Sequence, residues 1–241
     1  MIISPLSEVT CLSPHDRGPR PQAIDRITIH CVVGQCTAEA LGWWFQQATP
    51  VHSCNYGVDR SGRIVTIVPE DRVSICSSSY ANDARSVTIE TASDTTAPYT
   101  VTDAALGSLI RLCVDICRRN GKTECIWEPD KNKALTMQLL PRQLLLTVHR
   151  WFAPRSCPGD YLYSLHSEIA AEVTRLLTIK EEVFPMYQTI DDIPLWAFET
   201  IHKLIRLNLL QGTNDGKLNL SYDLCRTLVI LDRAGVFPND D

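Results

Sequence analysis

The chain has 241 residues, 44% hydrophobic and 21% charged, with a formal net charge of -5; this is the balance of a folded globular protein with room for one sizeable α/β core and a small satellite. The acidic balance, with no Lys/Arg run longer than Arg118-Arg119, speaks against a nucleic-acid partner. No stretch has the ~18 apolar residues of a membrane span, and Asp16, Arg17, Arg20 and Asp25 leave no apolar core for an export signal, so synthesis in the cytoplasm without membrane insertion is expected.

After a proline-containing lead-in, RITIHCVV (Arg26–Val33) clusters β-branched residues as a buried strand does. Residues 37–47 (TAEALGWWFQQ) open on Thr37, a capping residue type, and predict a helix in which Trp43 and Trp44 are core and boundary aromatics. Residues 55–59 and 63–69 flank Arg60-Ser61-Gly62 and predict a hairpin through a glycine turn. A further short strand spans 87–91. Residues 102–120 begin at a Thr cap with Asp103 in the first turn, keep helical apolar spacing, and stop at Gly121 behind Arg118 and Arg119. Another amphipathic helix is predicted over 165–177. Strands interleaved with helices make this a three-layer α/β unit.

At Ile179 the character changes. The charged, proline-containing KEEVFPMY is followed by a purely helical pattern: residues 191–207 with Pro194 in the first turn, a turn at 212–216, and residues 221–234 capped by Ser221 and ended by Gly235. The expected organisation is an α/β domain over 1–178, a linker over 179–187 and a small all-α module over 188–241.

Ten cysteines spread over a chain of this length predict reduced thiols rather than a disulfide scaffold. Cys31, Cys113 and Cys117 lie in apolar segments and read as core; the helical spacing of Cys113 and Cys117 has no further Cys/His pair to complete a metal site. Three other segments carry the residue types of a catalytic zinc centre: His30 ending ITIH, His149 ending LTVH, and Cys157 in RSCPG. Such a centre takes three protein ligands and keeps one position open, which two imidazoles and a thiolate satisfy. Each segment alone points elsewhere, the histidines to hydrogen-bonded core residues and Cys-Pro-Gly to a turn.

In this order and at these separations the segments resemble the zinc-dependent N-acetylmuramoyl-L-alanine amidases, the family of phage lysozyme-type amidases and animal peptidoglycan recognition proteins. The likeness covers roughly residues 24–177: ITIH, YGVDRSGRIVTIVPED, VTIE, the helix from Thr102, LTVH and RSCPG stand where the family has a strand histidine, a hairpin, an IGIE-like strand, a helix, a second histidine and K-x-C-P-G. It implies a central mixed β-sheet flanked by helices, Zn2+ held by His30, His149 and Cys157, and hydrolysis of the amide between N-acetylmuramic acid and L-alanine in bacterial peptidoglycan. Glu90, at the glutamate of the IGIE-like strand, is the implied general base. Arg155 replaces the family's lysine and keeps a cation for the oxyanion.

One departure stands out: Cys54 occupies the position of a catalytic tyrosine found in several relatives, and Tyr56 aligns with a structural aromatic. His52 reads as an exposed loop histidine near the groove, Cys31 as facing away from the metal, and His15, His166 and His202 as surface or partly buried. The terminal segment resembles helical modules appended to amidases of phages and clostridial-type bacteria, implying wall attachment or self-association, and the whole chain is expected to be a phage or prophage endolysin that lyses the host. Two other readings are a non-catalytic peptidoglycan-recognition protein and a closed structural zinc site with a fourth protein ligand. The presence of all three ligands favours the enzyme.

Overall fold

A computed structural model describes residues 1–49, 51–179, 186–213 and 216–238. The chain divides into two compact units, Met1–Ile179 and Lys180–Asp241.

The first unit runs β1 (Val9–Thr10), β2 (Arg26–Val33), α1 (Ala38–Trp44), β3 (Tyr56–Val58), β4 (Ile64–Thr66), α2 (Tyr80–Asp83), β5 (Ser86–Ser93), α3 (Asp103–Arg119), β6 (Glu124–Ile126), α4 (Lys131–Thr136), β7 (Gln143–Val148) and α5 (Gly159–Thr178). Its seven strands are ordered β1-β4-β3-β5-β2-β7-β6. Every pairing is parallel except the β3–β4 hairpin. This is the expected mixed sheet between helices. On one face Ile27, Ile29, Val87, Ile89, Leu144 and Leu146 pack with the buried residues of α3 and α5. On the other, α1 lays Ala38, Leu41 and Phe45 over Val65 and Ile67.

Local chemistry sets the ends of these elements. Thr37 and Thr102 cap α1 and α3 by accepting from the backbone N–H three residues on. Asp59 ties the hairpin turn, accepting from Ser61 N and Arg63 N at 2.7 and 2.9 Å. Gly62 there has a φ of +87°, and a Cβ on it would lie 2.6 Å from the Ala104 carbonyl oxygen.

Two expectations change, and one further strand is found. The helix expected over 165–177 starts at Gly159, because Leu162 and His166 continue the stripe of Ile169 and Val173 by one more turn. The segment leading to His149 is itself a strand, β7, whose unbroken leucines suit a strand buried on both faces. Trp43 and Trp44 are 60% and 50% exposed rather than core, since the buried stripe of α1 runs through Ala38, Leu41 and Phe45 and leaves both indoles outside.

In the second unit α6 (Leu195–Arg206) and α7 (Tyr222–Arg233) share a core of Ala197, Ile201, Cys225 and Val229. Asp232 links them, accepting from Thr200 Oγ1 and Lys203 Nζ at 2.8 Å each. The unit is not purely helical: β8 (Met186–Tyr187) pairs antiparallel with β9 (Leu220–Ser221), a ladder too short to show an alternating pattern. Pro194 caps α6 rather than sitting in its first turn. Most of the expected linker, and Asn214 and Asp215 of the expected turn, fall outside the described residues.

Candidate metal centre

Parallel, in-register strands turn spacing along the chain into rows across the sheet. Thr28 of β2 stands beside Thr88 of β5 and Thr147 of β7, and two residues on, on the same face, His30 stands beside Glu90. The same step from Thr147 reaches His149, where the chain leaves β7 in a 3-10 turn, His149–Trp151. The row lies at the carboxyl ends of parallel strands, where open α/β sheets form their clefts.

Cys157 is brought back to this edge by Arg150, whose backbone N–H donates to the Cys157 carbonyl at 3.1 Å and whose guanidinium donates to that of Ser156 at 2.6 Å. Cys157 Sγ then lies 3.3 Å from His30 Nδ1. The rings of His30 and His149 meet edge to face at 5.1 Å, and one donor atom from each of His30, His149 and Cys157 lies within 4.8 Å of the others. His149 and Cys157 border a groove of about 540 Å³ that Glu90, Arg155, His52, Cys31, Cys76 and Ser78 also line, whereas His30 is fully buried.

Buried hydroxyls floor the site. Thr28 Oγ1 meets Ser86 Oγ at 2.6 Å and Thr147 Oγ1 at 2.8 Å and accepts from Asn82 Nδ2 at 2.8 Å. Paired polar groups of this kind fix side chains that would cost free energy if left single.

Burial lowers the pKa of His30, and burial together with the nearby Arg155 cation lowers that of His149. Both imidazoles are therefore held neutral, the ligating form. A hydrogen bond with Cys31 and burial push the Cys157 thiol up, a direction that a neighbouring dication reverses. Burial, reinforced by the charge of Cys31, raises Glu90 to about 8. Glu90 Oε1 lies 3.9 Å from His30 Nδ1 and accepts from the Cys76 thiol at 3.9 Å; Oε2 is buried with no partner among the described residues. Two neutral imidazoles and a thiol converging beside an under-used carboxylate fit a dication with one open position.

Of the five residues singled out from sequence, Glu90, His149, Cys157 and Arg155 line one groove, with Arg155 exposed on its rim, and His30 is buried against Glu90, His149 and Cys157. Cys54 does not line it; the residue is fully buried against α1 and its thiol is raised by burial. Tyr56 is buried as expected, its hydroxyl donating to Glu70 Oε1 at 2.6 Å. Cys31 packs on the main core, yet it also borders the groove and pairs with Cys157, because the end of β2 leaves its side chain only partly covered. His52 lines the groove half-buried, its ring 5.4 Å from Phe45. His166 is fully buried rather than at the surface, its Nδ1 2.6 Å from the Leu162 carbonyl. Two groove residues carried no sequence signal: Cys76, which forms a second cluster of possible donors with His30 and Glu90, and Ser78, whose Oγ is 3.0 Å from His149 Nε2.

The profile of one protein family, N-acetylmuramoyl-L-alanine amidase, matches residues 20–160, more than half of the chain, a span that includes His30, Glu90, His149, Arg155 and Cys157. The chain belongs to this amidase family. Peptidoglycan amidase chemistry or peptidoglycan recognition is therefore its functional class. Among solved structures it is similar to the amidase LysC from Clostridium intestinale URNW, with 16% identity over 67% of this chain and 96% of that one and a TM-score of 0.46. A mutant endolysin from Bacillus subtilis matches with 14% identity over 68% and 97% and a TM-score of 0.46. The Drosophila peptidoglycan recognition protein SA matches with 17% identity over 66% and 91% and a TM-score of 0.47. No curated protein matches. Among the described residues no helix is long and apolar enough to cross a membrane.

Proposed function

We propose that the chain is a zinc-dependent N-acetylmuramoyl-L-alanine amidase that separates the lactyl group of N-acetylmuramic acid from L-alanine, in the setting of a phage or prophage endolysin. The observation that carries the reading is the convergence of His30, His149 and Cys157 donors within 4.8 Å beside the groove that Glu90 lines. A zinc ion on those donors supplies Lewis acidity, making water a nucleophile at neutral pH and polarising a carbonyl.

Glu90 does the proton work. Its carboxylate takes a proton from the attacking water as the C–O bond forms, and the resulting acid returns that proton to the amine as the C–N bond breaks. Arg155, on the rim, offers its guanidinium to the oxygen that gains charge. The open groove admits a polymer. The second unit serves as a module for wall attachment or self-association.

The test is release of soluble fragments from purified peptidoglycan. The zinc-loaded protein releases them, a chelator stops release, and added zinc restores it. Zinc bound without release favours the recognition protein or a closed structural site, for which the nearness of Cys76 to His30 and Glu90 is the supporting observation.

A further inference from the structure

His30 and His149 are held in different ways. His30 is fully buried, and its Nε2 has no partner among the described residues; packing, strand register and the approach of Cys157 Sγ to Nδ1 at 3.3 Å fix its ring. His149 lies where β7 has ended, half-exposed at the groove, so no strand pairing decides how its ring turns, and the His30 ring meets it edge to face at 5.1 Å. The side chain hydrogen-bonded to its Nε2 is Ser78, with Oγ at 3.0 Å.

Ser78 is set there by its backbone. Its φ is +64°, a left-handed conformation that a residue with a Cβ adopts at a cost and keeps where the surroundings impose it. The neighbours impose it. The buried Asp83 carboxylate accepts from Cys76 N at 3.1 Å and from Ser77 N at 3.2 Å. Asn82 Nδ2 donates to Ser77 Oγ at 3.2 Å and, at 2.8 Å, to Thr28 Oγ1 in the floor of the site. Ser79 caps α2 by accepting from Asn82 N. The loop is thereby anchored to the same buried network that underlies the His30 row. A glycine would relieve the backbone at position 78 and lose the hydroxyl.

We propose that Ser78 is a positioning residue for the metal centre: its hydroxyl accepts from Nε2–H of His149, which fixes the tautomer with Nδ1 free and turns Nδ1 toward the metal. The assignment rests on the zinc reading of the site. It makes the loop of residues 76–83 a support for the ligand that the sheet does not hold.

Zinc affinity measured by competition with a chromogenic chelator tests it, on the full chain and on Ser78→Gly and Ser78→Ala. Glycine removes both hydroxyl and strain; alanine removes the hydroxyl and keeps the strain. Both variants are expected to bind zinc about 10- to 100-fold more weakly than the parent. Activity at saturating zinc is expected to fall in kcat with KM little changed, and the 15N shifts of His149 in the zinc-free chain to move from the Nε2–H tautomer toward a mixture. Parent-level zinc affinity and an unchanged tautomer in Ser78→Gly overturn the proposal. A parent chain that itself binds no zinc overturns the functional reading instead, so the two failures are distinct.

Discussion

Glu90 and His166 are both buried groups with displaced pKa values, and they do opposite things. Glu90 lies 3.9 Å from the candidate ligand His30, where a proton held near neutrality is useful. Glu90→Gln keeps the shape and loses the base, so turnover is expected to fall by about 10²- to 10⁴-fold with bound zinc unchanged; His149→Ala is expected to lose both. Measuring zinc content beside activity separates these outcomes, and full activity in Glu90→Gln would reduce Glu90 to a structural carboxyl. His166 is outside the groove, packed 4.5 Å from the Trp127 ring, and burial lowers its pKa from 6.5 to about 4. Its folded-state value lies below the unfolded one, so the unfolded chain takes up the proton first. The stabilising contribution is complete above pH 6.5 and is lost as pH falls toward 4, by roughly 3 kcal/mol in all. Denaturant titrations at pH 7 and 4.5 check this: His166→Leu should flatten the loss, and an unaltered slope contradicts the assignment.

At the scale of elements, Gly62 carries the sharpest expectation. Its positive φ and the 2.6 Å approach of a would-be Cβ to the Ala104 carbonyl make Gly62→Ala destabilising by about 1–3 kcal/mol, read as a lowered unfolding midpoint; an unchanged midpoint would show that the β3–β4 turn can shift. Elements with local signals were legible in the sequence: α3 had a threonine cap, helical spacing and Gly121, and the β3–β4 hairpin had its glycine turn. Where the signal was tertiary, reading failed. The unbroken leucines of β7 fit a strand only once neighbours cover both faces, and Trp43 and Trp44 looked like core until the buried stripe of α1 was located. The same division holds in the site. His30, His149 and Cys157 sit in recognisable segments, whereas Ser78 and Cys76 arrive through a loop set by Asp83 and Asn82, and no spacing announces that.

For the whole molecule, the proposed function assigns chemistry to the first of the two compact units and attachment to the second. A chain ending at Ile179 is expected to keep its activity on soluble muropeptides and to sediment less with intact walls; equal sedimentation would remove the attachment role. The central claim concerns one bond. Digestion of purified muropeptides by the zinc-loaded protein, followed by mass spectrometry, tests it most directly. The account predicts peptides that begin with a free L-alanine amine together with sugars whose lactyl groups are intact, and no such products once a chelator is added. Cleavage at a glycosidic or peptide-crosslink bond, or none with zinc bound, would contradict it.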